Sequence, residues 1–409
     1  MAFDRLGKAA NSKQRGAAIM PTVARIAAAF AATLSLSAFE AKAADPVKIG
    51  IVMSFSGWFQ TIDASTVNGA LLAIKEINAK GGVLGSPIEI EKFDNKSEPP
   101  LGADGALEVI NKGAKAILFP SDFDFGAPGA FVAQQNNVLA FSGASDPKFG
   151  VKGIGPYAYS SSTASQAQGV MLADWAYREK GWKKAYVLLD NTIAYTKSLC
   201  GSFSQRWKQI GGDAHLLGED TFLNSDASIA SQASRINGLA AKPDVIMFCS
   251  YAPGGPSAIR QLRAAGLNQP IMTGESMDGD YWAGTVPNLS NFYALNFGSF
   301  YGDDPDTDVK DFFARYQKEY GQRSDASYSL RGYAEIQAWA KAAEKAKSFD
   351  ADKIAAVLNS FDNEKLVTGP TTYTPDLHIQ VSRPMTLVQS QNGKFSFVTK
   401  ISAKDFHLD

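Results

Sequence analysis

Aromatic, hydroxyl and carboxylate side chains gather in short segments that directly follow predicted β-strands. These segments are Ser54–Gln60, Ser121–Phe125, Gly143–Pro147, Asn191–Tyr195, Ser250–Tyr251 and Gly274–Asp278. In open parallel sheets, ligands bind beyond the carboxyl ends of the strands. Rings supply apolar area with polar tips, and a few hydroxyls and carboxylates fix the ligand's orientation. The composition predicts a cleft for a small amphipathic molecule, although polar loops with stray rings also occur without a ligand.

The sequence offers little for catalysis or for cofactor binding. Its three histidines, His215, His378 and His407, are far apart and have no metal-ligand partner three or four residues away. No G-x-S-x-G elbow, dinucleotide fingerprint or phosphate-binding loop is present. We therefore predict no enzyme activity, no metal and no cofactor. A Ser-His-acid triad stays open at this point, because triads assemble in space.

The elements that must position these segments alternate between strand and helix. The first run of predicted strands is Val47–Met53, Ile88–Asp94, Ala116–Phe119 and Val138–Ser142. The second run is Ala185–Asp190, Ala214–Gly218, Asp244–Cys249 and Pro270–Thr273. Such alternation implies parallel sheets covered by helices on both faces. Two separate runs predict the α/β class with two doubly wound, Rossmann-like lobes.

The C-terminal third contains helices followed by a hairpin. The predicted helices are Asp308–Tyr320, Tyr328–Lys345 and Ala351–Ser360, which could rejoin the first lobe. Gln391-Asn392-Gly393 separates two β-rich segments, and an Asn-Gly pair in that setting favours a β-hairpin.

The N-terminus has the three parts of a secretory signal. Basic residues precede an apolar run of 14 residues, Ile26–Phe39, and Ala41-Lys42-Ala43 forms a cleavage site. We predict a signal peptide at 1–43, with translation beginning at Met1 or Met20, and a periplasmic protein without a lipid anchor. A retained membrane anchor is the alternative, although the run is short for a membrane span.

The charge and the cysteines constrain partners and compartment. Without residues 1–43 the chain has 34 basic and 39 acidic residues, a net charge near −5. That charge disfavours nucleic acid as a partner. The two cysteines, Cys200 and Cys249, permit one disulfide in an oxidising compartment. Two free buried thiols are equally compatible with the sequence.

Several motifs resemble one family. They are Val47-Lys48-Ile49-Gly50-Ile51, Ser56-Gly57, Asn68-Gly69-Ala70, the run Ile74–Gly85, Ala144-Ser145-Asp146-Pro147, Arg260-Gln261-Leu262-Arg263 and Gly302-Asp303-Asp304-Pro305. From about Val47 to its end the chain resembles type I periplasmic substrate-binding proteins of ABC transporters, in the leucine/isoleucine/valine-binding branch.

The resemblance implies two lobes that close on a ligand about a hinge of three chain crossings. We expect lobe 1 at 44–161 plus about 295–378, and lobe 2 at 162–294 plus about 379–409. The crossings are expected near Ser160–Thr163, Phe292–Asn296 and Thr374–Ser382.

The resemblance also implies binding residues. Ser145 aligns with a hydroxyl at the ligand, in the same turn as the backbone of Gly143 and Ala144. Glu275 lies where the family places an acid against a ligand ammonium. Three aromatic positions also match, and they are Tyr195, Tyr251 and Tyr328.

Two loops depart from the family pattern. Ile62-Asp63 stands where the family has a Tyr-Gly pair, and Trp58 follows Ser56-Gly57. Ser121-Asp122-Phe123-Asp124 replaces a serine-rich loop. A buried aspartate there would repel a ligand carboxylate, so Trp58, Phe123 and the tyrosines could instead stack on an aromatic or cationic solute. Alternatively, the aspartates cap a helix and point away from the cleft.

The sequence thus predicts a monomeric receptor that captures one small molecule and delivers it to an ABC transporter permease in the inner membrane. The expected ligand is an amino acid or a related amphipathic or aromatic solute. A ligand-binding sensor on the same fold is the main alternative, and a secreted enzyme is a weaker one.

Overall fold

The computed structural model describes residues 44–408, so the predicted signal peptide at 1–43 lies outside the described residues. The strands of that part are β1 (Val47–Met53), β2 (Ile88–Asp94), β3 (Ala114–Phe119), β4 (Leu139–Ser142), β5 (Ala158–Ser160), β6 (Ala185–Asp190), β7 (Leu216–Phe222), β8 (Val245–Cys249), β9 (Ile271–Thr273), β10 (Phe292–Asn296), β11 (Glu364–Leu366), β12 (Gly369–Thr371), β13 (Met385–Gln391) and β14 (Lys394–Ile401). The α-helices are α1 (Gln60–Asn78), α2 (Pro99–Asn111), α3 (Phe123–Gln135), α4 (Ser165–Asp174), α5 (Ala194–Gly211), α6 (Ala230–Gly238), α7 (Gly254–Ala264), α8 (Thr307–Tyr320), α9 (Tyr328–Ala346) and α10 (Ala351–Leu358).

The first sheet has five parallel strands in the order β2-β1-β3-β4-β5. Side chains alternate between its faces, so Ile49 and Ile51 pack with α1, α9 and α10 while Val52 packs with α2 and α3. Both faces are buried, which explains why β1 is apolar along nearly its whole length.

The second sheet has seven strands in the order β14-β13-β10-β9-β8-β6-β7. The strands from β10 to β7 are parallel, and β13 and β14 add an antiparallel edge. Val187 packs with α4 and α5, and its neighbour Leu188 packs with α6 and α7. The predicted α/β class with two doubly wound sheets is confirmed.

The chain passes between the sheets three times. The first and third passages run side by side, because the Ser160 amide donates to the His378 carbonyl and the Ala164 amide to the Gln380 carbonyl, each at 2.8 Å. Both lie within or next to the predicted crossings. The predicted crossing at Phe292–Asn296 needs correction, because that segment is β10 inside the second sheet and the passage follows it. The predicted lobe boundaries otherwise stay predictions.

Two glycines set the close packing of α1 on α9. A Cβ on Gly69 would lie 1.8 Å from the Ser329 carbonyl oxygen, and a Cβ on Gly332 would lie 1.9 Å from that of Thr66. Real Cβ atoms do not approach carbonyl oxygens so closely, so only glycine fits at either position. This contact fixes the first turns of α9 beside the carboxyl end of the first sheet.

The second sheet contains the chain's two cysteines as a disulfide. Cys200 of α5 is bonded to Cys249, the last residue of β8, which resolves the alternative left open by the sequence. The hairpin predicted at Asn392-Gly393 is present between β13 and β14, and both turn residues have positive φ, at 50° and 75°. Within residues 44–408, no helix has the length and apolarity that a membrane span needs.

Candidate functional site

A cavity lies at the carboxyl ends of both sheets, with an empty volume of about 530 Å³ that includes its opening to solvent. In each sheet the order of strands reverses next to the first strand of its run, β1 or β6, and such switch points are where doubly wound sheets bind ligands. Nine of the predicted residues line the cavity, and they are Trp58, Ser121, Asp122, Phe123, Ser145, Tyr195, Tyr251, Glu275 and Tyr328.

Gly143 and Ala144 are not among the residues that line the cavity. The Ala144 amide donates to Ser142 Oγ at 2.9 Å, and its carbonyl accepts from Ser160 Oγ at 2.6 Å. The Gly143 carbonyl accepts from Arg331 Nη1 at 3.2 Å. These three main-chain groups are therefore used within the protein, and the part of Gly143 and Ala144 in ligand binding stays a prediction.

Aromatic rings from both sheets meet at the mouth of the cavity. Trp58, which follows β1, is 40% exposed, and its ring centroid lies 5.7 Å from that of Tyr251, which follows β8. Phe59 and Phe125 stack behind Trp58 with centroids 4.8 Å apart. The entrance is thus bordered by apolar rings that can pack against the body of a small molecule.

Glu275 lies at the inner end of the cavity and is buried. Its carboxylate accepts hydrogen bonds from Ser145 Oγ and from Ser162 Oγ, the latter at 2.9 and 3.1 Å. Tyr328 Oη donates to the Glu275 main-chain carbonyl at 2.6 Å. Burial raises the pKa of Glu275, while the charge of Arg331 and the serine hydroxyls oppose that rise.

Two aspartates at the start of α3 have different partners. Asp122 caps α3, since its Oδ1 accepts from the Asp124 amide at 2.9 Å, as one of the two sequence interpretations expected. It nevertheless lines the cavity, so it does not point away from the cleft. Burial raises its pKa to about 7, and the nearby charge of Asp124 adds to the rise. Asp124 Oδ2 accepts from the Ala194 amide at 3.0 Å and so links the two sheets.

Arg331 is the cavity residue that the sequence analysis missed most clearly. It lies on α9 one turn after Tyr328, is 2% exposed, and its guanidinium carbon lies 4.3 Å from the Tyr328 ring centroid. Nη1 lies 3.7 Å from Glu275 Oε1. The strand-end rule could not find it, because it projects from a helix. The available signal was a basic residue three positions after Tyr328, on the same helix face.

A sequence model of the periplasmic binding protein family matches residues 46–394. The chain belongs to this family. The "Leu/Ile/Val-binding protein BraC3" of Rhizobium johnstonii is 26% identical over 371 residues, covering 89% of this chain and 97% of the relative. Within this family the chain is similar to Leu/Ile/Val-binding proteins, as its motifs predicted.

Solved structures share the fold of this chain. The branched-chain amino acid transporter substrate binding protein LivJ from Streptococcus pneumoniae, in complex with isoleucine, has a TM-score of 0.78 at 22% identity and covers 87% of this chain and 99% of that one. The leucine binding protein LivK from Thermotoga maritima has a TM-score of 0.76 at 22% identity, covering 88% and 100%. The chain therefore has the type I periplasmic binding protein fold.

Proposed function

We propose that this periplasmic binding protein captures one small solute between its two sheets and delivers it to an ABC transporter permease. The observation that carries the proposal is the cavity itself, at the switch points of both sheets, bordered by rings and containing a buried charged pair. Aromatic rings line the cavity together with charged and hydroxyl groups, and such a lining suits an amino acid or a related aromatic or amphipathic solute.

The relatives favour a solute of amino-acid size. BraC3 is named a Leu/Ile/Val-binding protein, and the LivJ structure contains isoleucine. We propose export by the N-terminal segment 1–43, removal of that segment, and a monomer in the periplasm. We propose no catalytic step, since the relatives are named binding proteins.

A binding screen on residues 44–409 tests the proposal. Amino acids, amides, polyamines and aromatic acids are tested by thermal unfolding, and each hit is measured by titration calorimetry. A ligand at 100 times its Kd should raise the free energy of unfolding by about 2.7 kcal/mol. A stoichiometry of one per chain is expected. The absence of any stabilising solute across all four classes would refute the proposal.

Delivery and location need a cellular test. Cells lacking the gene should lose uptake of the identified solute, and the full chain should restore it. A chain without residues 1–43 should stay in the cytoplasm and fail to restore uptake. Restoration by that truncated chain would argue against export as part of the function.

A further inference from the structure

Arg331 lines the cavity, and one edge of its guanidinium has no hydrogen-bond partner among the described residues. Of its guanidinium nitrogens, Nη1 donates to the Gly143 carbonyl oxygen at 3.2 Å. Nε and Nη2 are buried and have no hydrogen-bond partner within residues 44–408. These two nitrogens form one edge of the guanidinium plane, with N–H bonds that point the same way. That edge is the one that a carboxylate can engage with both oxygens at once.

Buried donors of a charged group are costly when they are unpaired. The rings on either side offer no strong acceptor, since Tyr328 and Phe297 face the guanidinium at 4.3 and 5.2 Å to their centroids. An acceptor supplied by the ligand would satisfy both nitrogens. A carboxylate does so with matched geometry and opposite charge.

Glu275 already has partners within the protein. Hydroxyls of Ser145 and Ser162 already donate to its carboxylate, and Arg331 Nη1 lies 3.7 Å from Oε1. The resemblance implied an ammonium partner at this position. In this structure Glu275 is also placed as a counter-ion to the Arg331 guanidinium, and its part at a ligand ammonium stays a prediction.

We propose that Arg331 binds the carboxylate of the ligand through Nε and Nη2, and that the ligand is an organic monocarboxylate which needs no α-ammonium. Its apolar body would pack among the rings of Trp58, Tyr195 and Tyr251, which line the same cavity. This inference rests on the proposed function, because it names the ligand class of that same site.

Two matched ligand series test the inference. The first is leucine, 4-methylpentanoate and leucinamide, and the second is phenylalanine, 3-phenylpropanoate and phenylalaninamide. Within each series the second compound lacks only the ammonium and the third lacks only the carboxylate. In at least one series we expect the acid without ammonium to bind within about tenfold of the amino acid. The amide should bind about 30-fold more weakly or worse, as for loss of a buried charge pair.

Variants separate a binding role from a structural one. Arg331→Met should abolish the preference for the carboxylate over the amide. Should that variant fail to fold, Gly143→Ala serves instead, because its Cβ would lie 2.5 Å from Arg331 Nε and would displace a guanidinium that keeps its charge. Arg383→Met is the control, since Arg383 is also buried but bonds to Ser161 and Thr368. It should change stability and leave the preference intact.

The outcomes are distinct. Amides that bind as well as acids, an undiminished preference in Arg331→Met or Gly143→Ala, or a ligand from the wider screen that lacks a carboxylate would each overturn the inference while leaving the receptor function standing. Binding of the amino acids with no binding of the deaminated acids would also overturn it. If no solute of any class binds, the proposed function fails as well.

Discussion

Asp278 offers a direct thermodynamic test of the buried polar groups behind the cavity. Its side chain is buried at the end of the loop after β9, where Oδ1 accepts from Asn296 Nδ2 at 2.7 Å and from the Ser327 amide at 3.2 Å. Oδ2 bonds to Ser327 Oγ. Burial raises the pKa of Asp278 from 3.8 to about 8, and the hydrogen bonds from Ser327 oppose the rise. Asp278→Asn keeps the shape and both acceptor contacts at Oδ1 but cannot ionise.

The sign of the effect follows from proton linkage. Between about pH 4 and pH 8 the folded protein holds a proton on Asp278 that the unfolded chain has released. The stability contributed by this group is complete below about pH 4, is lost as the pH rises towards about 8, and changes no further above it. The slope is about 1.4 kcal/mol per pH unit. From pH 5 to pH 7 the wild type should lose up to about 3 kcal/mol relative to Asp278→Asn.

Urea unfolding of residues 44–409 at pH 5, 6, 7 and 8 measures the difference between the two proteins. Other buried acids also titrate in this range, so the difference between wild type and variant is the informative quantity. Asp311→Asn, at an exposed position of α8, is the control and should change the free energy of unfolding little. If the free energy of unfolding depended on pH in the same way in the wild type and in Asp278→Asn, the reasoning would be refuted. The Asp278 carboxyl would then titrate alike in the folded and unfolded states.

Three further predictions concern packing, the disulfide and the link between the sheets. Gly332→Ala should lower the free energy of unfolding by about 1–3 kcal/mol, because the added Cβ overpacks the contact between α1 and α9. Gly201→Ala is the control and should not lower it, because the helical position of Gly201 has open space around it. Equal thermal midpoints of the two variants would contradict the packing argument. Replacing Cys200 and Cys249 by serine should lower the free energy of unfolding in urea by about 4 kcal/mol, because the disulfide closes a loop with a sequence separation of 49 and so restricts the unfolded chain. A reductant should destabilise the wild type and not the variant. An unchanged unfolding midpoint in the variant would refute the estimate. Asp124→Ala removes the acceptor for the Ala194 amide at the start of α5. The rate of ligand dissociation, measured by stopped flow, should rise about 2- to 10-fold. An unchanged rate would show that this hydrogen bond does not hold the two sheets together around the ligand.

The sequence predicted short strands between turn signals and helices with one buried face. The structure has β1, β2 and β6 at the predicted residues, because β1 and β6 are short apolar runs and β2 begins with alternating apolar and charged residues. The sequence analysis missed α4, and its burial explains why. Eight of its ten residues, from Ser165 to Ala173, are buried, and they lie on nearly every side of the helix. A helix buried all round has no polar face, so the 3.6-residue pattern is absent.

The prediction of the site succeeded where it rested on topology. Every cavity residue except Ile62, Tyr328 and Arg331 lies in a segment that follows a predicted strand, and Tyr328 came from the resemblance. Arg331 depends on how closely α9 approaches the first sheet. That approach is set by glycine contacts between helices far apart in the chain, and local sequence pattern carries no information about such contacts.

Residues that follow strands of both sheets form the cavity. Ser145 comes from the first sheet and Glu275 from the second, and Trp58 and Tyr251 face each other in the same way. Separation of the sheets would break these contacts, move Glu275 away from Arg331 on α9, and open both charged groups to water. A ligand that contacts both sheets therefore favours the closed arrangement over the separated one. The stabilisation equals the difference between its binding free energies for the two arrangements and cannot exceed it. Residues that touch the ligand and residues that only join the sheets, such as Asp124, should consequently both alter affinity, but only the former should alter the preference between acid and amide.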